Sequence, residues 1–173
     1  MVKSIFALCL GLLLGACSAT PVVKRQESFN PVPEQEKIFI APFTAVMVPG
    51  DIEEQVFDTF VDRLNEASAG KDYEFAILKT DLEQVDEDWL GAQYYMRGEI
   101  FAYFQDSGCC STVLQLKGRL RYYQPGQEEP VLSAEFPAEI FFEHDYADLA
   151  EQRLKLAQKV ALELAEQVLF ALN

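Results

Sequence analysis

Ser111-Thr112-Val113-Leu114-Gln115-Leu116-Lys117-Gly118-Arg119-Leu120-Arg121-Tyr122-Tyr123 is the stretch on which the fold turns. Leu114, Leu116 and Leu120 alternate with Val113, Gln115, Lys117, Arg119 and Arg121. Successive side chains of a strand point to opposite faces, so this alternation reads as a strand with one face on a core and one in water. The preceding Asp106-Ser107-Gly108-Cys109-Cys110 supplies a turn, and residues 93–104 before it are rich in Tyr, Phe and Ile, which makes the two segments a hairpin. Gln124-Pro125-Gly126-Gln127 turns the chain again, into a further strand over 131–142.

Away from this meander the period changes. Ile52, Val56, Phe57, Phe60, Leu64 and Ala67 recur at helical spacing behind Asp51 and Glu54, a capping-box-like start, and Gly70 stops the helix. Residues 37–43, a β-branched and aromatic run closed by Pro42, read as a first strand, and residues 73–78 as a second. An acidic stretch with Thr80 as a cap and a short helical turn leads to Trp89. A long helix over about 146–172 closes the chain, with Leu149, Leu156, Val160, Leu164, Val168 and Leu172 on one stripe. The expected fold is α/β (α+β): a mixed sheet of about five strands in the order β-α-β-β-β-α, with helices packed on the sheet.

The first 17 residues follow a different logic. Lys3 precedes an apolar run from Ile5 to Leu14, after which Gly15 and Ala16 lead to Cys17. A helical span of a bilayer core needs about 20 residues, so this run suits a signal peptide. Leu14-Gly15-Ala16-Cys17 resembles the lipobox of bacterial lipoproteins. That resemblance implies cleavage between Ala16 and Cys17, a thioether-linked diacylglycerol on Cys17 and a further acyl chain on its amino group. Each buried methylene contributes about 0.8 kcal/mol, so two or three chains hold a protein stably at a membrane. Ser18, in place of the aspartate that retains such proteins at the inner membrane, resembles the outer-membrane class. The expected location is the periplasmic face of the outer membrane, with the inner membrane and the outer surface as alternatives.

Residues 18–36 contain three prolines and little periodicity and read as a flexible tether. As a coil, such a length averages about 25 Å end to end and reaches about 65 Å at most. The expected organisation is therefore a signal peptide over 1–16, a lipidated cysteine and tether over 17–36, and one periplasmic domain over 37–173, of a size that suits a single core.

With 28 acidic against 14 basic residues, the chain repels phosphate backbones and anionic headgroups, and no basic stripe is evident along the sequence. Nucleic acid is not an expected partner. Of the four cysteines, Cys9 leaves with the signal and Cys17 carries lipid, so Cys109 and Cys110 remain as thiols in an oxidising compartment. Adjacent Cα atoms are about 3.8 Å apart, below the usual disulfide separation. A strained vicinal disulfide, a structural turn, pairing to another chain and metal capture are the alternatives, with the first two favoured.

Leu90-Gly91-Ala92-Gln93-Tyr94-Tyr95-Met96-Arg97-Gly98-Glu99-Ile100 is similar to a Gly-Ala-Asp-Tyr-x-x-x-Gly-x-Ile strand. That pattern recurs in curli-secretion lipoproteins, lipoprotein activators of penicillin-binding proteins and the N-terminal domain of the Tol-system propeller protein. The resemblance implies a strand entering the sheet after a helix-strand unit. Residues 37–43 resemble the first strand of those domains. Gly91 and Gly98 are expected where the backbone needs a positive φ or a close neighbour, as at a turn or bulge.

No catalytic constellation stands out. His144 is the single histidine, and its neighbours Glu143 and Asp145 point away from it along a strand. Asp81, Glu83, Asp86, Glu87 and Asp88 lack calcium-loop spacing, so no metal site and no cofactor is expected. Trp89 with Tyr94, Tyr95, Tyr103, Tyr122 and Tyr123 reads as core and sheet-face packing, or as the lining of a groove. The expected function is that of a lipid-anchored adaptor serving an envelope protein, not of an enzyme. The alternative is a carrier of a small ligand, lipid or peptidoglycan fragment.

Overall fold

The computed structural model describes residues 20–30 and 36–172. The signal segment, the cleavage pair Ala16 and Cys17, and residues 31–35 of the expected tether lie outside them. The elements are β1 Val22–Arg25, β2 Lys37–Ile40, β3 Thr44–Ala45, α1 Gly50–Ser68, β4 Glu74–Ile77, α2 Glu87–Gly91, β5 Tyr94–Ser107, β6 Ser111–Tyr123, β7 Leu132–Glu143 and α3 Leu149–Leu172. A 3-10 turn at Leu82–Gln84 precedes α2.

The sheet runs β1-β7-β6-β5-β2-β4, with β3 beside β5. β2 is parallel to β4 and β5, whereas β5, β6, β7 and β1 alternate in direction, so the fold is the expected mixed α/β sheet. It has seven strands instead of about five. The alternation along β6 holds throughout. Leu114, Leu116, Leu120 and Tyr122 are buried, and a Cβ added at Gly118 on that same face would meet Val160 and Leu164 of α3. α1 and α3 cover this face with Ile52, Val56, Phe60 and Leu64 from the first and Leu156, Val160, Leu164 and Val168 from the second. Full burial of such a side chain contributes about 1.5–3 kcal/mol, so this two-helix layer on one sheet face carries the fold. Among the described residues, nothing comparable covers the centre of the other face.

Three expectations change in detail. The run at 37–43 breaks at Ile40 because Pro42 has no N–H to donate, and pairing with β5 resumes at β3 with its register shifted by one residue. Asp51 and Glu54 do not form a capping box. Pro49 holds the N-cap position, its carbonyl accepting from Ile52 and Glu53, so Asp51 sits in the first turn. The last helix starts at Leu149 because the Asp148 carboxylate accepts the N–H groups of Ala150 (2.9 Å) and Glu151 (3.2 Å). Gly98 does have the close neighbour expected of it, the Phe43 ring, while Gly91 lies in α2 with open space where a side chain would be.

The largest correction concerns the expected tether. Val22–Arg25 is a strand, paired antiparallel with β7 from Val22 opposite Glu135 to Arg25 opposite Leu132. Phe29 is buried against Tyr122 (6.1 Å between centroids), with the Arg25 guanidinium 3.9 Å over its ring. The buried Gln124 amide donates to the Asn30 carbonyl (2.6 Å) and accepts the Asn30 N–H (3.4 Å). These partners lie about a hundred residues away along the chain and satisfy a segment that has no periodicity of its own.

Candidate interaction face

Residues directly opposite one another on antiparallel strands share a face. The half of β6 that turns away from the helices is Val113, Gln115, Lys117, Arg119, Arg121 and Tyr123, and its register brings three neighbouring strands into line. Arg97 stands opposite Arg121, Glu99 opposite Arg119, and Glu135 and Ser133 flank the same two arginines on β7. Lys24 of β1 continues the Ser133 row. The open face thus gathers Lys24, Arg97, Lys117, Arg119 and Arg121, cations scattered across nearly a hundred positions of the sequence. The absence of a basic stripe along the chain does not extend to the folded surface, because a sheet assembles its faces from different strands.

The carboxylates present only partly neutralise this cluster. Arg119 holds Glu135 at 2.6 Å and Glu99 at 3.6 Å, and Arg121 reaches Glu99 at 3.6 Å. Arg119 also lies 4.7 Å over the Phe101 ring, beside the register shift between Ile100 and Ala102. Arg97 is exposed and, among the described residues, has no carboxylate within ion-pair distance. Like charges directly opposite on a sheet repel, and Glu99 compensates only the Arg121 side, so Arg97 costs stability until a further anion joins the pair. Paired guanidinium groups on a flat face present planar forks suited to carboxylate or phosphate oxygens.

Aromatic residues frame the cluster. Tyr95 and Tyr123 stack at 4.5 Å beyond the Arg97 row, and Trp89 packs edge-on against Phe39 at 5.2 Å. The Tyr95 phenol is pushed above its ordinary range by burial and by Tyr123, with Arg97 pulling the other way. Tyr122 faces the opposite side and is fully buried, and Tyr103 donates from its hydroxyl to Gln105 (2.8 Å) while accepting from Arg153 (3.1 Å). The tyrosines therefore divide between the core and the two faces instead of lining one groove.

At the end of the β5–β6 hairpin, Cys109 and Cys110 are exposed thiols with sulfurs 3.2 Å apart, wider than the ~2.05 Å of a disulfide. The contact with Cys109 holds the Cys110 thiol above its ordinary pKa. His144 donates its backbone N–H to the Cys110 carbonyl, and its Nε2 lies 2.8 Å from the Thr112 hydroxyl, which donates in turn to Ser107 (3.1 Å). Ser107, Thr112 and His144 line a shallow cleft of about 460 Å³ with Phe142, Ala147, Asp148 and Leu149. Thr112 is the member that sequence reading missed: it occupies an inward position of β6 where the pattern asks for an apolar residue. Among the described residues, no three His, Cys, Asp or Glu side chains come together as a metal site.

No family model and no curated protein matches the sequence. Solved structures match its fold. A PelC dodecamer from Paraburkholderia phytofirmans superposes with a TM-score of 0.53 at 12% identity, over 86% of this chain and 98% of that one. The hypothetical protein CT253 from Chlamydia trachomatis gives 0.53 at 8% identity, over 80% and 98%. The lipoprotein GNA1162 from Neisseria meningitidis gives 0.50 at 11% identity, over 77% and 97%. At these identities the likeness is one of fold. The likeness of residues 90–100 to curli-secretion, synthase-activator or Tol-propeller domains finds no support among these three.

Proposed function

We propose that the chain is a bacterial lipoprotein of the cell envelope, anchored through lipid on Cys17, which docks another envelope protein on the open face of its sheet. The observation that carries this reading is the Arg97–Arg121 pair, two cations opposed on an uncovered face of a chain with net charge -14. A surface of that sign in an otherwise acidic protein steers an acidic segment to one place and repels it elsewhere. The lipobox supports the anchor, and so does the occurrence of this fold in a Neisseria lipoprotein. No helix among the described residues is long and apolar enough to cross a membrane. The expected site is the periplasmic side of the outer membrane. The clefts beside His144, Phe43 and Tyr95 are open and shallow, which favours a protein partner over a carried small ligand.

A photocrosslinking residue in place of Gln115 or Tyr123, beside the cations, should capture one reproducible envelope protein from intact cells. Arg97→Glu with Arg121→Glu should reduce that product at least tenfold without changing the amount of protein in membranes. Failure to capture any reproducible protein, or a product indifferent to the two reversals, refutes the assignment of this face.

A further inference from the structure

The chain that leads from the proposed anchor enters the sheet from one of its ends. β1 runs against β7 with Val22 opposite Glu135 and Arg25 opposite Leu132, so the chain entering Val22 comes from the direction of Glu143. Glu143 pairs with Ser111, where the β5–β6 hairpin turns. Cys17 stands only five residues before Val22, a length that spans at most about 17 Å. From Glu135 to Phe141 along β7 is six residues, or about 20 Å. A lipid on Cys17 therefore cannot sit far beyond the hairpin end, and the domain has no slack with which to stand clear of the bilayer.

That end also exposes large apolar side chains on its open face, among the carboxylates of Asp106, Glu139 and Glu143. Phe104 is 54% exposed and Phe141 62% exposed, with Val113 opposite Phe141 and diagonal to Phe104. Tyr146, 84% exposed, follows β7 at the same end, its N–H on the Glu143 carbonyl. Phe170 is exposed too, but at the far end of the 24-residue α3, about 30 Å from its start.

We propose that the hairpin end of the sheet is a membrane-contact surface, with Phe104, Phe141 and Tyr146 seated in the interfacial layer of the bilayer that holds the Cys17 lipid. This rests on the lipid-anchor reading of Cys17. Aromatic side chains favour the headgroup level, where an apolar body and a wet edge are both accommodated. Asp106, Glu139, Glu143 and Asp145 stand at the same end, so the surface suits zwitterionic lipid and loses contact as anionic lipid is added. Standing on this end, the sheet holds the Arg97 row seven residues of β5 away from Phe104, about 23 Å out from the lipid.

The native protein carries its own control. Its single tryptophan, Trp89, packs on Phe39 in the row of Tyr95, nine residues along β5 from Phe104 and about 30 Å from the proposed contact. Full-length lipidated protein, purified in detergent, is reconstituted into phosphatidylethanolamine–phosphatidylcholine vesicles whose acyl chains are brominated near the headgroup. In Trp89→Phe with Phe141→Trp, indole fluorescence should be quenched at least threefold more than in the native protein. Phe104→Trp in the same background repeats the measurement from the neighbouring strand, should the first variant fold poorly. Equal, weak quenching of all three in protein that co-floats with the vesicles overturns the membrane contact and leaves the anchor intact. Protein that does not float, and whose N-terminal peptide carries no acyl mass, overturns the anchor and the contact with it.

Discussion

Gly98→Ala tests the packing beneath the strand that carries Arg97. A Cβ at Gly98 would fall 2.1 Å from Cε1 of Phe43 and 2.3 Å from its Cδ1 and Cζ. Unstrained carbon pairs sit about 3.5–4.0 Å apart, so the ring must retreat by more than about 1 Å. It has little room to do so: Phe43 is buried, with the Phe57 ring 5.7 Å and the Phe60 ring 5.2 Å away, centroid to centroid. Overpacking of a tight core costs about 1–3 kcal/mol, and complete loss of a buried phenyl about 3–5, so a destabilisation of about 3 kcal/mol is expected. Urea unfolding of a soluble form beginning at Ser18 measures it. Phe43→Ala removes the ring that the new methyl meets, so in that background the same glycine change should cost less than about 1 kcal/mol, a coupling of about 2 kcal/mol. A loss below about 0.5 kcal/mol for Gly98→Ala alone, or strict additivity with Phe43→Ala, refutes the steric account.

Gln124→Ala should release residues 26–30 without unfolding the sheet, because it removes both hydrogen bonds that the amide makes to Asn30. Hydrogen exchange at Phe29 and Asn30 should accelerate by at least tenfold while β6 remains protected, and unchanged exchange counts against the clamp. Stability should also fall on the alkaline side. Burial, foremost, raises the Tyr122 phenol above its usual value near 10.0, reinforced by Tyr94 and Tyr73 and opposed by Gln124. The folded chain therefore keeps a proton that the unfolded chain gives up above about pH 10, so the stabilisation is complete below that pH and lost as pH rises through it. Denaturant midpoints should be flat between about pH 7 and 9 and fall beyond 10, with a smaller fall in Tyr122→Phe. An identical fall in that variant removes Tyr122 from the explanation.

What could be read from the chain and what could not divide along a physical line. β6 was legible because its alternation is a property of adjacent residues, and α3 because Leu156, Val160, Leu164 and Val168 repeat within one helix. β1 was not, since four residues after a proline have no period to display. Their order comes from residues 132–135 of β7, and that of Phe29 and Asn30 from Tyr122 and Gln124, none of which a local window contains. The arginine cluster was hidden for the same reason. Arg97 and Arg121 are 24 positions apart and become neighbours only through the register of the hairpin, which the turn and the shift at Phe101 determine. The motif at Cys17 belongs to the opposite class: it is contiguous, so the sequence alone displays it, and it lies outside the described residues.

Pairing of β1 changes the meaning of the anchor as well as its length. A tether of 19 residues would let the domain tumble within tens of ångströms of its membrane and meet a partner in any orientation. With Val22 fixed opposite Glu135, a lipid at Cys17 restrains orientation too, since only the hairpin end and the β1 edge lie within reach. In the proposed arrangement a partner would meet the cationic face within a restricted range of heights and angles, and part of the rotational freedom lost on association would already be lost in the anchored protein. Under that constraint a small cluster suffices. Arg97 and Arg121, half neutralised by Glu99, would be a weak site on a freely diffusing domain, yet the same pair held at a fixed height, as proposed, would discriminate partners by where their acidic residues lie above the membrane.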